Sequence, residues 1–218
     1  MIKGLLFDLD GVIVDTAKYH YLAWKKIADE FNIPFTIADN ERLKGVSRER
    51  SFEIILELGN KQMSDEDKKS YCTRKNEIYL EYILKLDENE ILPGVREFLD
   101  HAKKKGYKIA LGSASKNSRL ILDGLKLTQM FDAIIDGTKV TSAKPDPEVF
   151  EKGAEALGLS YRDCLVFEDA TTGIEAAHRA GMIAVGIGEA ELLPEADFVM
   201  SGFNTQEARS LMTLLATY

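Results

Sequence analysis

Two carboxylates, separated by one residue, stand at the end of the first apolar run of the chain. Residues 5–7 are apolar, Asp8 and Asp10 follow, and the chain then turns at Gly11. Such a run is typical of a buried parallel strand, and ligands bind at the carboxyl ends of such strands. Carboxylates this close repel each other unless a cation lies between them or one is protonated. The alternative is a strand that ends in an ordinary polar turn.

The first of these interpretations suits chemistry on phosphate. Asp8 can attack phosphorus as a covalent nucleophile, with Mg²⁺ screening the approach of two anions, while Asp10 passes protons. A short motif needs its context to distinguish this chemistry from a plain turn, so the other strand ends matter.

Polar side chains also follow the later predicted strands. Ser113 follows the second strand, Lys144 comes after the third, and Glu168 with Asp169 ends the fourth. Because parallel strands bring their carboxyl ends to one edge of a sheet, these side chains are expected to meet the first pair there. Each of these residues also has an ordinary structural interpretation when it is considered alone. The serine would be a helix cap, the lysine a solvated charge, and the acidic pair a favourable partner of a helix dipole. Their occurrence together and in this order favours one site.

Each of these residue types has a task in phosphoryl transfer, where catalysis is mostly positioning and charge stabilisation. Ser113 and the backbone N–H groups that follow it, from Ala114 on, can donate to phosphoryl oxygens. Lys144 can neutralise the phosphoryl group and the nucleophile together. The predicted octahedral Mg²⁺ site takes its oxygen ligands from Asp8, the main-chain carbonyl of Asp10, Glu168 and Asp169.

Composition limits the classes of function. The 218 residues are 45% hydrophobic and 29% charged, as in an ordinary globular protein. The net charge of −8 argues against a broad nucleic-acid footprint. The sequence contains no apolar run long enough to span a bilayer, and its start leads straight into the first strand, so no signal peptide is expected. Cys72 and Cys164 lack metal-type spacing and suit reduced thiols, so we expect a cytoplasmic protein, with nothing that demands more than a monomer.

Between the first strand and about residue 86, apolar residues recur at helical spacing. The first of three predicted helices follows Thr16 as its N-cap, the second covers Ser47 to Leu58, and the third opens at Ser64. In the second helix Phe52, Ile55 and Leu56 are expected to face inward. The residues at helical spacing in the first helix are His20, Trp24, Ile27 and Phe31, and the third helix carries Tyr71, Ile78 and Tyr82. This stretch is predicted to be a small helical module inserted after the first strand.

From Pro93 onward helix and strand alternate, which predicts a parallel sheet with crossover helices. Strands are expected at 107–111, 131–135, 164–167, 183–187 and 198–200. One of the helices between them should begin with Asp146 as its N-cap and Pro147 as its first residue.

The order of these signals resembles that of the haloacid dehalogenase superfamily of phosphotransferases, over nearly the whole chain. The resemblance implies an α/β fold, a Rossmann-like doubly wound parallel sheet (residues 1–15 and 87–218), with a helical cap domain (16–86) that opens and closes over the site. It implies that Asp8 is the residue phosphorylated and that Asp10 is the general acid and base. The Mg²⁺ ligands that it implies are Asp8, Asp10, Glu168 and Asp169.

Within that superfamily, two segments resemble those of the β-phosphoglucomutases. Residues 43–49 (LKGVSRE) resemble their substrate loop, and residues 113–117 (SASKN) resemble their second signature, with a departure at Gly112, where alanine is expected. Arg48 is expected to grip a phosphate bidentately, although by itself it reads as a surface cation. The substrate-binding residues implied by the two segments are Lys44, Gly45, Val46, Arg48, Ser115, Lys116 and Asn117.

Positions in the cap also match that subfamily. Thr16, His20 and Lys75 match the residues that link cap closure to the setting of Asp10, and Trp24 lies beside His20 as a further support. Without the resemblance, His20 reads as an ordinary helix-face residue.

The resemblance implies a mutase that acts on a small sugar phosphate, with no nucleic acid or membrane as partner. Phosphorylated Asp8 would donate to β-glucose 1-phosphate, giving β-glucose 1,6-bisphosphate as intermediate and activator. This bisphosphate would turn around and return a phosphate to Asp8, releasing glucose 6-phosphate. The nearest alternative is a sugar-phosphate phosphatase on the same fold, which transfers the group to water. A phospho-accepting signalling domain and a non-catalytic binding protein are more distant alternatives.

Overall fold

The computed structural model describes residues 1–43 and 46–215, apart from the side chain of Leu214. The chain divides into two compact units. The α/β unit comprises Met1–Asp15 and Leu86–Tyr218, and the helical unit comprises Thr16–Lys85. In the described residues we find no helix that combines the length and the apolar character needed to cross a membrane.

A six-stranded sheet forms the centre of the α/β unit, and its strands lie in the order β3-β2-β1-β4-β5-β6. Every neighbouring pair is parallel, which confirms the predicted α/β class. The order reverses between β1 and β4, the place where sheets of this kind bind ligands. The strands are β1 Gly4–Phe7, β2 Lys108–Gly112, β3 Ala133–Ile135, β4 Cys164–Glu168, β5 Ile183–Ile187 and β6 Phe198–Met200.

The register of the central strands determines which residues lie side by side at the carboxyl ends of these strands. Phe7 is paired with Leu111 of β2 and with Phe167 of β4. The backbone N–H of Asp8 continues the ladder by donating to the carbonyl of Phe167 at 3.0 Å. Asp8 and Glu168 therefore leave the sheet side by side, as the strand pattern predicted.

In the helical unit, four helices lie in the described residues: α1 Ala17–Glu30, α2 Ile37–Glu41, α3 Arg48–Leu58 and α4 Asp65–Ile83. Ser64 caps α4 by accepting the backbone N–H three residues on, as predicted, and Ser47, predicted as the start of the second helix, caps α3 in the same way. Helix α2 was not predicted, since its five residues are too few to show a period. It is held instead by a capping box between Thr36 and Asp39.

Helix α4 carries the three apolar residues predicted on it, and two of them, Tyr71 and Ile78, pack against the core of the helical unit. Tyr71, Ile78 and Tyr82 are only half-buried, at the margin of the face. The fully buried face includes a lysine, which hydropathy alone does not indicate. The residues that α4 buries are Cys72, Lys75, Tyr79 and Ile83.

Five further helices in the described residues flank the sheet: α5 Val95–Lys104, α6 Ser118–Gly124, α7 Glu148–Leu157, α8 Thr171–Arg179 and α9 Gln206–Leu215. The predicted start of α7 was one residue early. Pro147 is the N-cap and Glu148 the first helical residue. The Asp146 carboxylate still accepts the Glu148 N–H, at 3.0 Å. Cys72 and Cys164 are buried, unpaired thiols, as expected.

Aromatic rings fill one side of the sheet beneath the carboxyl edge. Phe7 is fully buried and stacks on Phe167 with ring centroids 4.5 Å apart. Phe98, Phe131 and Phe203 surround Phe7 at centroid distances of 6.2, 6.4 and 6.1 Å. The side chain of the residue directly before Asp8 is thus enclosed by four aromatic rings.

We expect Phe7→Ala to lower the free energy of unfolding by about 3–5 kcal/mol, the range for removing a buried aromatic ring. Phe198→Ala is the matched control, because Phe198 also lies in a strand but is 47% exposed. Its cost should stay within roughly 0.5 kcal/mol, as for other surface positions. Urea unfolding of both variants gives the two values. Equal costs would mean that the ring cluster does not stabilise the sheet.

Candidate active site

Lys144 joins two carboxylates at the carboxyl edge of the sheet. Its Nζ donates to Asp8 Oδ1 and to Glu168 Oε1, each at 2.6 Å. The side chains of Lys144, Asp8 and Glu168 are only 8%, 11% and 2% exposed. Ion pairs withdrawn from water in this way are specific in geometry, because a misplaced partner leaves a buried charge uncompensated.

The charges of this group do not balance. Burial alone would lower the pKa of Lys144, but the charges of Asp8 and Glu168 outweigh it and raise this pKa, so the ammonium stays protonated. Burial raises the pKa of Asp8 well above its usual range, against the attraction of Lys144. The neighbouring charges of Glu168 and Asp169 raise it further. One ammonium therefore faces three carboxylates, and a further cation would relieve the excess of negative charge.

These carboxylates suit a divalent metal. Among the described residues, Asp8, Glu168 and Asp169 each offer an oxygen, and the three oxygens lie within 4.8 Å of one another. Hard oxygen donors at an edge with excess negative charge are what Mg²⁺ requires. The residues present therefore fit the metal. Asp10 lies in the turn that follows, paired with Val14 in a short bridge.

Gly11 brings the two acidic pairs together. Its φ of +77° is the left-handed conformation that glycine tolerates best. Its N–H donates to the carbonyl of Val14 at 2.8 Å, which closes the turn. A Cβ at this position would collide with the carboxylate of Asp169. The Asp-x-Asp-Gly motif and the later acidic pair are therefore in direct contact, which sequence order alone could not establish.

Ser113 begins a tight loop at the end of β2. It is 2% exposed, its N–H donates to the carbonyl of Ile135, and its Oγ accepts the N–H of Ser115 at 3.2 Å. The Ser115 Oγ in turn accepts the N–H of Asn117 at 3.3 Å. A hydroxyl group that accepts one hydrogen bond can still donate another, so the Ser113 hydroxyl can donate a hydrogen bond to a ligand. Ala114 and Lys116 are exposed, while Ser115 and Asn117 are half-buried.

The segment that precedes Lys144 is held by a residue to which sequence reasoning gave no role. Glu148 Oε2 accepts the N–H groups of Thr141 and Ser142 at 2.7 and 2.8 Å. A hydrogen bond from Lys152, together with these two backbone bonds, lowers the pKa of Glu148 to about 2. The glutamate therefore stays ionised and ties the segment to α7. In the sequence it looks like any acid in the first turn of a helix.

The four residues expected to support cap closure meet inside the helical unit. Lys75 Nζ lies 2.7 Å from His20 Nδ1, 5.0 Å from the Trp24 ring and 4.8 Å from the Tyr79 ring. The Tyr79 hydroxyl donates to Thr16 Oγ1 at 3.1 Å. Tyr79, which sequence reasoning missed, thus links the group. The link of these residues to Asp10 stays a prediction.

The protonation of His20 follows from this arrangement. An ammonium can only donate, so Nδ1 is the unprotonated acceptor of the Lys75 hydrogen bond. Burial, with the charges of Lys75 and Arg48, lowers the pKa of His20 well below its usual range. His20 is therefore neutral near pH 7.

Part of the expected substrate loop lies in the described residues. Val46 is half-buried, and Arg48 is half-buried with its Nη2 donating to Asn76 Oδ1 at 2.8 Å. Lys44 and Gly45, the other expected members, lie outside the described residues. The functions of Arg48 and of its neighbours stay predictions.

Comparisons with known proteins agree with this geometry. The profile of the haloacid dehalogenase-like hydrolases matches residues 5–187. A β-phosphoglucomutase of Bacillus subtilis is 44% identical over 201 residues, 91% of this chain and 89% of that protein. A phosphorylated carbohydrates phosphatase of Thermotoga maritima is 33% identical over 184 residues, 83% of this chain and 82% of that protein. The crystal structure of a β-phosphoglucomutase from Clostridium difficile has a TM-score of 0.90 at 40% identity, covering 98% of this chain and 96% of that chain. The resemblance inferred from the motifs is confirmed.

We expect Gly11→Ala to weaken Mg²⁺ binding by about 10–100-fold, since a Cβ there displaces the Asp169 carboxylate. Gly106→Ala is the matched control, because Gly106 has a similar φ of +85° with nothing within 4 Å of the added Cβ. It should cost roughly 1–2 kcal/mol of stability and leave Mg²⁺ affinity unchanged. Calorimetric titration with Mg²⁺ tests both. Equal Mg²⁺ affinities in the two variants would contradict the contact between Gly11 and Asp169.

Acidification should destabilise the protein through His20. Its folded pKa lies below that of the unfolded chain, so the stability is present above about pH 6.5 and is lost as the pH falls and the unfolded chain takes up a proton. The loss should reach up to about 1.4 kcal/mol per pH unit and should be absent in His20→Gln. Urea unfolding at about pH 8 and about pH 5.5 measures it. His101→Gln, an exposed position, is the control and should behave as wild type. A His20→Gln variant with the wild-type pH dependence would refute this assignment.

Proposed function

Because the chain belongs to the haloacid dehalogenase-like hydrolase family, we propose that it acts as a β-phosphoglucomutase, an Mg²⁺-dependent phosphotransferase that interconverts β-D-glucose 1-phosphate and glucose 6-phosphate. The observation that carries this proposal is the likeness to β-phosphoglucomutases over nearly the whole chain. The paired Asp8, Lys144 and Glu168 supply chemistry that suits the reaction. The α/β unit would be catalytic, and the helical unit would be its cap.

Asp8 is the residue that we propose to carry the phosphoryl group between substrates. In the first half-reaction the substrate 6-hydroxyl attacks the phosphorus of phosphorylated Asp8, and the bond from phosphorus to Asp8 breaks. The product is β-glucose 1,6-bisphosphate. In the second half-reaction the Asp8 carboxylate attacks the phosphorus at position 1, and the bond from that phosphorus to O1 breaks, which releases glucose 6-phosphate.

The neighbours of Asp8 stabilise charge in both halves. Lys144 already donates to Asp8 and would also donate to the phosphoryl oxygens, where negative charge develops. The Ser113 hydroxyl and the Ala114 N–H would donate to the same oxygens. Mg²⁺, when bound, withdraws charge from the phosphoryl group. It would be held by Asp8, Glu168, Asp169 and the main-chain carbonyl of Asp10.

Asp10 is the proposed proton carrier. It would take the proton from the 6-hydroxyl in the first half-reaction and give it to O1 in the second. The proton balance closes over one cycle, so the same residue serves as base and then as acid.

A mutase needs a second phosphate site, because its bisphosphate binds in either orientation. We propose that Arg48 binds the phosphate that is not being transferred, since a guanidinium matches that anion in a bidentate manner. Lys44, Gly45 and Val46 would complete the loop around it. On the α/β unit, Ser115, Lys116 and Asn117 would contact the sugar or the same phosphate.

A sugar-phosphate phosphatase is the second candidate. It is favoured by the similarity to the phosphorylated carbohydrates phosphatase of Thermotoga maritima. Such an enzyme would share Asp8, Asp10 and Lys144 and would transfer the group to water. The second phosphate site is therefore what separates the two functions.

We further propose that the protein works as a cytoplasmic monomer on a small sugar phosphate. Its two cysteines are buried and unpaired, which suits a reducing compartment. Its net negative charge suits neither nucleic acid nor an anionic membrane surface as a partner.

The test is a coupled assay on β-glucose 1-phosphate with Mg²⁺ and a trace of β-glucose 1,6-bisphosphate, following glucose 6-phosphate and free phosphate in parallel. A mutase forms glucose 6-phosphate with little free phosphate. We expect Arg48→Ala to lower mutase turnover by about 100-fold, the cost of losing a charged bidentate partner.

Arg50→Ala is the matched control for Arg48→Ala. Arg50 lies on the same helix but pairs with the exposed Glu53 and Glu57, so its loss should leave turnover unchanged. Release of phosphate without isomerisation in the wild type would favour the phosphatase. Full mutase turnover in Arg48→Ala would refute the second phosphate site.

A further inference from the structure

We propose that Phe150 is a positioning residue for Lys144, and that residue 112 is glycine because the Phe150 ring occupies the space of a Cβ there. The inference rests on the proposed function, since it concerns the residue assigned to stabilise charge at Asp8. It adds a structural support to that reaction and a physical reason for the departure from alanine at Gly112.

The aromatic ring of Phe150 lies close to both Lys144 and β2. Phe150 is fully buried in the first turn of α7. Lys144 Nζ stands 4.8 Å from the centre of its ring. On the β2 side, a Cβ at Gly112 would lie 2.9 Å from Phe150 Cδ1 and 3.0 Å from Cε1. Both distances are shorter than carbon contacts at optimal separation, so an alanine at 112 would push the ring.

The ring has little freedom to yield. Helix α7 lies close to the sheet, since a Cβ at Gly153 would come within 2.8 Å of Leu6 Cδ2 in β1. Phe150 is therefore held between the sheet and its own helix. A group that displaced the ring from the β2 side would change the surface on which the ammonium rests.

The ring and the two carboxylates together fix Lys144. The carboxylates of Asp8 and Glu168 attract the ammonium from one side, at 2.6 Å each. An aromatic face attracts a cation as well, and more strongly when the cation is shielded from water. An aliphatic side chain in place of Phe150 would fill the core but would not attract Nζ. The proposal thus separates electrostatic positioning from packing.

The experiment measures phosphorylation of Asp8 by acetyl phosphate in a single turnover, with Mg²⁺ present. We expect Phe150→Leu to lower the saturating rate about tenfold, with the concentration for half-saturation unchanged. Phe35→Leu is the matched control, because Phe35 is also a buried phenylalanine but lies in the helical unit, where its ring stacks on Tyr21. It should phosphorylate at the wild-type rate.

Gly112→Ala provides an independent test that keeps the ring. We expect it also to slow phosphorylation about tenfold, because the new methyl group displaces Phe150. The double variant Gly112→Ala with Phe150→Leu should be no slower than Phe150→Leu alone, because the clash partner is gone. Additive losses in the double variant would overturn the proposal.

The remaining outcomes separate this inference from the proposed function. Wild-type rates in Phe150→Leu, or an equal loss in Phe35→Leu, would overturn the role of Phe150 while leaving Asp8 as the phosphorylated residue. Absence of phosphate on Asp8 in the wild type would overturn the proposed function itself.

Discussion

A buried ammonium shared by two carboxylates is the constraint on which this site depends. Charges taken out of water are costly unless each has a partner at hydrogen-bond distance, so Lys144, Asp8 and Glu168 must be placed together or not at all. The two carboxylates are placed accurately because the register of the sheet determines their positions. Phe7 and Phe167 are register partners on neighbouring strands, and the two acids are the next residues of those strands. The hydrogen-bond ladder thus fixes the distance between the carboxylates, and the lysine completes the group.

The same constraint explains why so acidic a chain can handle phosphate. The net charge of −8 would repel an anion at long range, but reactivity is decided within a few ångströms of Asp8. There the carboxylates outnumber the ammonium, which favours binding of a divalent cation. The bound cation then makes the local electrostatic potential favourable for an anion. The acids are therefore a means of binding phosphate. In the helical unit, Arg48 and Lys75 add positive charge beside His20, whose pKa both lower.

Much of this arrangement could be predicted from sequence, because some features depend on chain order alone. Parallel strands bring their carboxyl ends together, so Asp8, Ser113 and Glu168 could be assigned to one edge. Ser64 could be recognised as a cap because a helix start leaves unsatisfied N–H groups. Other features depend on contacts between distant residues and gave no such signal. Hydropathy gives no sign that Lys75 is buried on α4, and nothing in the sequence shows that Gly11 touches Asp169.

The residues that position Lys144 lie very close to it in sequence, yet they could not be recognised there. Glu148 ties down the backbone ahead of the lysine, and Phe150 lies under its ammonium. Both belong to the first turn of α7, so the support follows the lysine by only four and six residues. What makes α7 a support is its close contact with the sheet, with β1 at Gly153 and with β2 at Gly112. A motif records which residues react. The accurate position of those residues depends on the close packing of a helix against the sheet. Such packing cannot be recognised in the sequence and is seen only in the folded structure.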